Sequence, residues 1–196
     1  MFANRFTAFV DACSLAGALK RNLILTLAEA EFFRLRWSTQ VLDETERAIA
    51  EILEAKGASD AVDRASRARS SMEAAFEEAM VAGYETFLPA CQGLPDPDDA
   101  HVLAAALKTQ AAVIVTDNLK DFPDHILAPL NLEARSTDEF LANTVALDPG
   151  RSVAAVRMMR DRLKNPTKTP DVLLIEMEAQ GLVETVDLLR PHVLSL

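Results

Sequence analysis

Apolar residues follow two rhythms along the chain, and the two alternate. The first is the short compact run. Residues 6–10 form one that stops at Asp11, and the pattern predicts a strand there. The second is the helical recurrence. Leu15, Leu19, Leu23, Leu27 and Ala30 repeat at that spacing, predicting one or two helices over 15–33. Residues 33–37 (FRLRW) alternate apolar and basic, as a short strand does. Ser38 follows as an N-cap, with Trp37 and Leu42 spaced as a hydrophobic staple. The helix over 39–56 is expected to bury Val41, Thr45, Ala48, Ile49 and Ile52 and to stop at Gly57. A weakly apolar face over 58–81 predicts an outer helical region, and 84–88 a short edge strand ended by Pro89.

Asp96 then suits an N-cap and Pro97 a first helical residue, for a helix over 97–110. Residues 111–116 (AAVIVT) are nearly continuously apolar, as in a buried parallel strand. A last strand is predicted over 130–134, followed by a helix to about residue 145 that opens with the capping box Ser136 and Glu139. Beyond Asp148-Pro149-Gly150 the pattern is helical only: 151–164, a loop over 165–170, then 171–180 and 183–189. Alternating strands and helices predict an α/β fold with a mainly parallel central sheet flanked by helices. The change of pattern divides the chain into a domain over 1–146 and a helical C-terminal extension over 147–196.

Composition narrows the class. The 196 residues are 49% hydrophobic and poor in glycine, which suits a packed core and not a disordered chain. No apolar run approaches the roughly 20 residues of a membrane helix, and the N-terminus lacks the order of a signal peptide, so a cytoplasmic protein without a membrane partner is expected. Cys13 and Cys91 have no zinc-like spacing and are read as reduced thiols. The net charge of −10 argues against holding nucleic acid by bulk electrostatics. The charge is uneven, however. Residues 70–107 contain no Lys or Arg, whereas Arg151, Arg157, Arg160, Arg162, Lys164 and Lys168 face only Asp161 between 151 and 168.

Within that frame three acids fall at related places. Asp11 ends the first strand, Asp99 lies in the first turn of the helix feeding the long apolar strand, and Asp117 ends that strand. Ligands in open α/β sheets bind beyond the carboxyl ends of the strands, although Asp11 would equally suit a helix cap. Glu44 lies at the margin of its helix's apolar stripe, where it could reach a cleft or remain a solvated acid; Asp43 points away. Gathered carboxylates repel unless a cation or proton sits among them. Hard divalent ions such as Mg²⁺ prefer such oxygen ligands and assist phosphodiester hydrolysis. No nucleophilic triad or phosphate-cradling glycine loop competes, and His101 is read as packed beside the acids or exposed.

Four stretches carry a resemblance, in order: FVDACSL at 9–15, WSTQVLDE at 37–44, LPDPDDAHVLAAAL at 94–107 and VIVTDNLKDFP at 113–123. The chain resembles the PIN-domain ribonucleases, and within them the VapC-type toxins. The resemblance implies a three-layer PIN-like fold. It implies a Mg²⁺- or Mn²⁺-dependent endoribonuclease, the toxin of a type II toxin–antitoxin pair, with RNA as substrate, a small antitoxin as partner and a possible homodimer. Asp11 and Asp99 would be the principal metal ligands, Glu44 the acid of the second motif, and Asp117 the fourth. The fourth position departs from the family pattern, because Asn118 stands where the acid is usual and Asp117 or Asp121 could replace it. Asp98 would support Asp99. The same departure, with the negative net charge, motivates the alternative of a catalytically degenerate binding module on the same fold, acting through protein or RNA partners.

Overall fold

The computed structural model describes residues 6–164 and 166–196; Asn165, the first residue of the loop expected after the basic helix, lies outside them. In chain order the elements are β1 (Thr7–Val10), α1 (Ala12–Ala16), α2 (Ala18–Glu29), β2 (Arg34–Ser38), α3 (Thr39–Ala55), α4 (Ala61–Ala75) and β3 (Met80–Val81). They continue with α5 (Ala100–Lys108), β4 (Val113–Val115), α6 (Asp124–Leu127), β5 (Glu133–Arg135), α7 (Thr137–Leu147), α8 (Pro149–Arg162), α9 (Pro170–Ala179) and α10 (Val183–Leu189).

Among the described residues the strands form one five-stranded sheet in the order β3-β2-β1-β4-β5, parallel throughout. The sheet is flanked by helices, as the alternating pattern predicts. Its order matters for function. The chain steps outward from β1 through β2 to β3, then returns to the other side of β1 for β4 and β5. The point where the order reverses lies between β1 and β4, and it is there that the strand ends leave a crevice. Register pairs Ala8 with Val113, Phe9 with Ile114 and Val10 with Val115. Asp11 therefore emerges beside Thr116, and its N–H continues the ladder to the Val115 carbonyl at 3.0 Å.

By their internal packing the residues fall into two compact units that interleave along the chain. One holds the sheet and comprises residues 1–17 and 34–135. Its core includes Phe9, Trp37, Leu42, Leu103, Ile114 and Phe122, each buried to under 2% exposure. Removing each of these side chains from water contributes about 1.5 to 3 kcal/mol. Ser38 caps α3 as expected, accepting the Val41 N–H at 3.2 Å. Helices α3 and α4 are joined by Arg69, whose guanidinium lies 2.6 Å from Asp43, 2.9 Å from Glu46 and 3.3 Å from Glu73.

The other unit comprises residues 18–33 and 136–196 and is helical. Phe33 packs edge-on to Phe140 with ring centroids 4.8 Å apart. Asp138 caps α10, accepting the Glu184 N–H at 2.8 Å, the Thr185 N–H at 2.9 Å and the Thr185 hydroxyl at 2.7 Å. The basic residues of α8 are largely engaged inside this unit. Arg151 lies over the Phe32 ring, Arg162 forks onto Glu29 at 2.7 and 3.1 Å, and Arg160 binds Asp161 at 2.6 Å.

Several local expectations are corrected. The edge strand is β3, not 84–88. Gly83, at φ +67°, turns the chain out of the sheet directly after β3, and residues 85–91 wind into 3₁₀ turns instead. Lys108, the cation that ends the long acidic stretch, fixes this bend by donating to the Ala82 and Gly83 carbonyls. The helix expected over 58–81 is shorter, because Phe76 leaves helical geometry (φ −135°, ψ 58°) and its ring packs edge-on to Trp37 at 6.0 Å. The last strand starts later than residue 130, since Asn131 in the left-handed region ends a 3₁₀ turn first. Ile52 is 38% exposed, so the buried stripe of α3 ends a turn earlier than its spacing suggests. No helix among the described residues is long and apolar enough to cross a membrane.

Candidate metal centre

The site is built where β1 and β4 end. Asp11 serves as the N-cap of α1: its extended backbone (φ −79°, ψ 156°) lets Oδ1 accept the Ala12 N–H at 2.7 Å. Its second oxygen faces the neighbouring strand end. Thr116 donates its hydroxyl to Asp11 Oδ2 at 2.8 Å, and the Cys13 thiol donates to the same oxygen at 3.1 Å. Asp11 is thus buried, held at both oxygens, and placed by sheet register. The cap and site readings of this residue are compatible in one side chain.

Asp99 is arranged differently. Asp96 caps a single 3₁₀ turn, Pro97–Asp99, accepting the Asp98 N–H at 2.9 Å, and α5 begins at the next residue. Asp99 occupies the N-cap position of α5 without a side-chain capping bond. Its Oδ2 is buried and has no hydrogen-bond partner. A buried carboxylate oxygen without a donor is unfavourable unless something outside the chain completes it. Burial, together with the charges of Asp11, Asp96 and Asp121, pushes the Asp99 carboxyl up to about 6.

Asp121 supplies the third side of the group. Ligand oxygens of Asp96, Asp99 and Asp121 all lie within 4.8 Å of one another. Asp121 is only 7% exposed and sits in the 3₁₀ turn Leu119–Asp121. Asn118 donates its side-chain amide to Asp121 Oδ2, and the Asn118 N–H donates to the Thr116 hydroxyl at 3.0 Å. Thr116 therefore links the two acids: it donates to Asp11 and accepts from the turn that carries Asp121.

The expected site residues fall into three groups. Asp99 and Asp121 are brought together with Asp96, read from sequence mainly as a cap, which joins them while still capping; Asp11 lies outside this close group but near enough for its charge to act on Asp99. Glu44, on α3, lies outside the close group, with its Oε1 3.2 Å from His101 Nε2. Asp98 and Asp117 are exposed and lie outside the close group of carboxylates. The Asp117 N–H donates to the Cys13 sulfur at 3.2 Å. Two contributors were not singled out in the sequence, Thr116 and Cys13, while His101, read as packed beside the acids or exposed, is buried. Thr116 could have been found from strand register alone, since it is the residue beside Asp11. The sulfur of Cys13 lies among Asp11, Thr116 and Asp117, and burial there with the Asp11 charge pushes the thiol up to about 12.

The arrangement suits a hard divalent cation: oxygen ligands only, more negative charge than the local donors balance, and one buried oxygen left open. Two regions of the chain match known families. Residues 7–120 match the family described as PIN domain, and residues 137–191 match the family described as VapC50 C-terminal domain. A 76-residue stretch, 39% of this chain, is 43% identical to "Putative ribonuclease VapC50" of Mycobacterium tuberculosis (strain ATCC 25618 / H37Rv) and spans 45% of that protein. The chain thus spans less than half the length of the curated relative it matches. No solved structure matches the chain.

Proposed function

The chain belongs to the PIN-domain family, and on that footing we propose that it is a Mg²⁺- or Mn²⁺-dependent endoribonuclease, the toxin of a type II toxin–antitoxin pair. The observation that carries the proposal is the open Oδ2 of Asp99 amid the carboxylates of Asp96 and Asp121, beside the charge of Asp11. Asp11, Asp99 and Asp121 would hold the ion, with Glu44 completing the set from α3; Asp121, and not Asp117, takes the fourth acid's place. When bound, a hard divalent ion supplies an activated water and neutralises charge on a scissile phosphate.

The chain's own residues do the rest. Thr116 and Cys13 fix Asp11 Oδ2, and the Ala12 N–H fixes Oδ1, so that Asp11 enters the site in one orientation. Asn118 orients Asp121 in the same way. In this reading the asparagine at the usual acid position keeps a function, because its amide aims the acid three residues later. RNA is the substrate, with specificity from local contacts and not from bulk charge, given the net charge of −10. A small antitoxin protein is the partner, and the cytoplasm the compartment.

The test is cleavage of a structured RNA by the full chain with Mn²⁺, with Mg²⁺ and with chelator, alongside Asp99→Asn and Asp11→Asn. Metal-dependent cleavage by the wild type, lost in both folded variants, is expected. Undiminished cleavage by Asp11→Asn would sink the assignment. Absence of cleavage across varied RNAs with Mn²⁺ present, with partner binding intact, would favour a binding module.

A further inference from the structure

His101 stands at an unexpected place. It lies on α5 two residues after Asp99, in a helix whose next residues, Val102, Leu103, Ala104, Ala105 and Ala106, are fully buried. The imidazole is itself only 6% exposed. Its Nε2 lies 3.2 Å from Glu44 Oε1, and its Nδ1 is buried without a hydrogen-bond partner among the described residues. An apolar side chain would fill such a position without leaving a polar atom unsatisfied. The ring therefore carries a cost that packing does not explain, and its one polar contact is Glu44.

We infer that His101 is a positioning residue for metal binding: it fixes the Glu44 carboxylate of α3 relative to the acids at the start of α5. The inference rests on the reading of Glu44 as a ligand. Glu44 is 29% exposed on a helix surface, where a carboxylate has several rotamers and loses entropy on ligating. The imidazole Nε2, 3.2 Å from Oε1, is placed to hold it, and Gln40 donates to the same oxygen at 3.4 Å. No described residue donates to Oε2, which stays open to a ligand. An imidazole suits this purpose better than a lysine. It can orient a carboxylate through a neutral N–H, whereas an ammonium would compete with the metal ion for the same charge.

The test uses the full chain and Mn²⁺ alone as the probe, with thermal unfolding of the metal-free protein as a second readout. His101→Leu should lower Mn²⁺ affinity by about tenfold while the metal-free protein unfolds at no lower temperature. His101→Gln, whose amide nitrogen can replace the Nε2 donor, should restore most of the affinity. In a Glu44→Gln background, His101→Leu should add nothing further. The inference is overturned if His101→Gln binds as weakly as His101→Leu, or if the leucine is as costly in the Glu44→Gln background. Should His101→Leu not fold, His101→Gln against His101→Asn, whose amide cannot reach Glu44, makes the same comparison: equal affinities overturn the inference. A wild type that binds no Mn²⁺ removes the metal reading itself and this inference with it.

Discussion

Thr116 donates its hydroxyl to Asp11 Oδ2 at 2.8 Å across a sequence separation of 105 residues. The Thr116 Oγ1 itself accepts the Asn118 N–H, so one hydroxyl ties the end of β1 to the turn that carries Asp121. Thr116→Val keeps the shape and removes both bonds. It should cost about 1 to 3 kcal/mol of stability, read from the urea midpoint, and should weaken Mn²⁺ binding. Thr116→Ser retains the hydroxyl and should recover most of the metal affinity. Equal behaviour of the two variants toward Mn²⁺ would mean the hydroxyl does not organise the site.

Asp99 sets a pH dependence of defined sign. Its folded carboxyl is raised from 3.8 to about 6, so between these values the folded chain binds more protons than the unfolded one. Its contribution to stability is therefore lost as pH rises through that window and stays lost at neutral pH. Asp99→Asn removes the penalty and should stabilise the metal-free protein at pH 7 by about 1 to 2 kcal/mol, allowing for solvent screening of a half-buried group. At pH 4 the gain should vanish. Urea unfolding at the two pH values measures the difference, and a stability gain that persisted at pH 4 would contradict this account.

Binding of a cation should offset the same repulsion. Mn²⁺ at about 100 times its dissociation constant should stabilise the wild type by about 2.7 kcal/mol, and Asp99→Asn much less. Because ligands must be deprotonated, the stabilisation should shrink as pH falls through about 6. Thermal shift with and without Mn²⁺ at pH 5 and 7.5 reads this directly.

Asp117 and Asp121 are separable by substitution. Asp121 is buried within the carboxylate group, whereas Asp117 is exposed and outside it. Asp121→Asn should reduce metal-dependent cleavage by two or more orders of magnitude, on the order of losing a principal electrostatic group. Asp117→Asn should change it only a few-fold, through local charge. The reverse ranking would return the fourth ligand to Asp117.

In the helical unit, Asp138→Ala should remove a cap from α10 and leave the Thr185 hydroxyl with only the Asp138 backbone carbonyl, at 3.2 Å, as acceptor. A loss of about 1 to 2 kcal/mol is expected, with Mn²⁺ affinity unchanged. Asp138→Asn should lose less, since the amide oxygen still accepts.

Much of this arrangement is written locally in the chain. The apolar runs before Asp11 and Thr116 specify β1 and β4, and Ser38 and Ser136 cap the helices they were expected to cap. These features depend on a few neighbouring residues. What could not be read depends on contacts between distant ones. The edge strand was displaced because Gly83 turns the chain and Lys108 holds the bend, neither of which periodicity encodes. The fourth acid was ambiguous because Asp117 and Asp121 both flank Asn118 in sequence; only in the fold does Asp121 become buried and receive the Asn118 amide while Asp117 stays exposed. His101, read from sequence as packed beside the acids or exposed, could not be paired with Glu44 because that residue lies on a different helix.

The strand order also has a kinetic consequence. β1 (Thr7–Val10) is synthesised long before one of its two neighbours, β4, which contains residues 113–115. The loop closing this pair is long, and its entropy must be lost before the pairing contributes anything. A growing chain therefore carries Asp11 well before the Thr116 hydroxyl that orients it, and the Asp121 turn is made later still. If the chain cuts RNA as proposed, its candidate metal centre is completed late in synthesis, which leaves little opportunity to act on the message from which it is being translated.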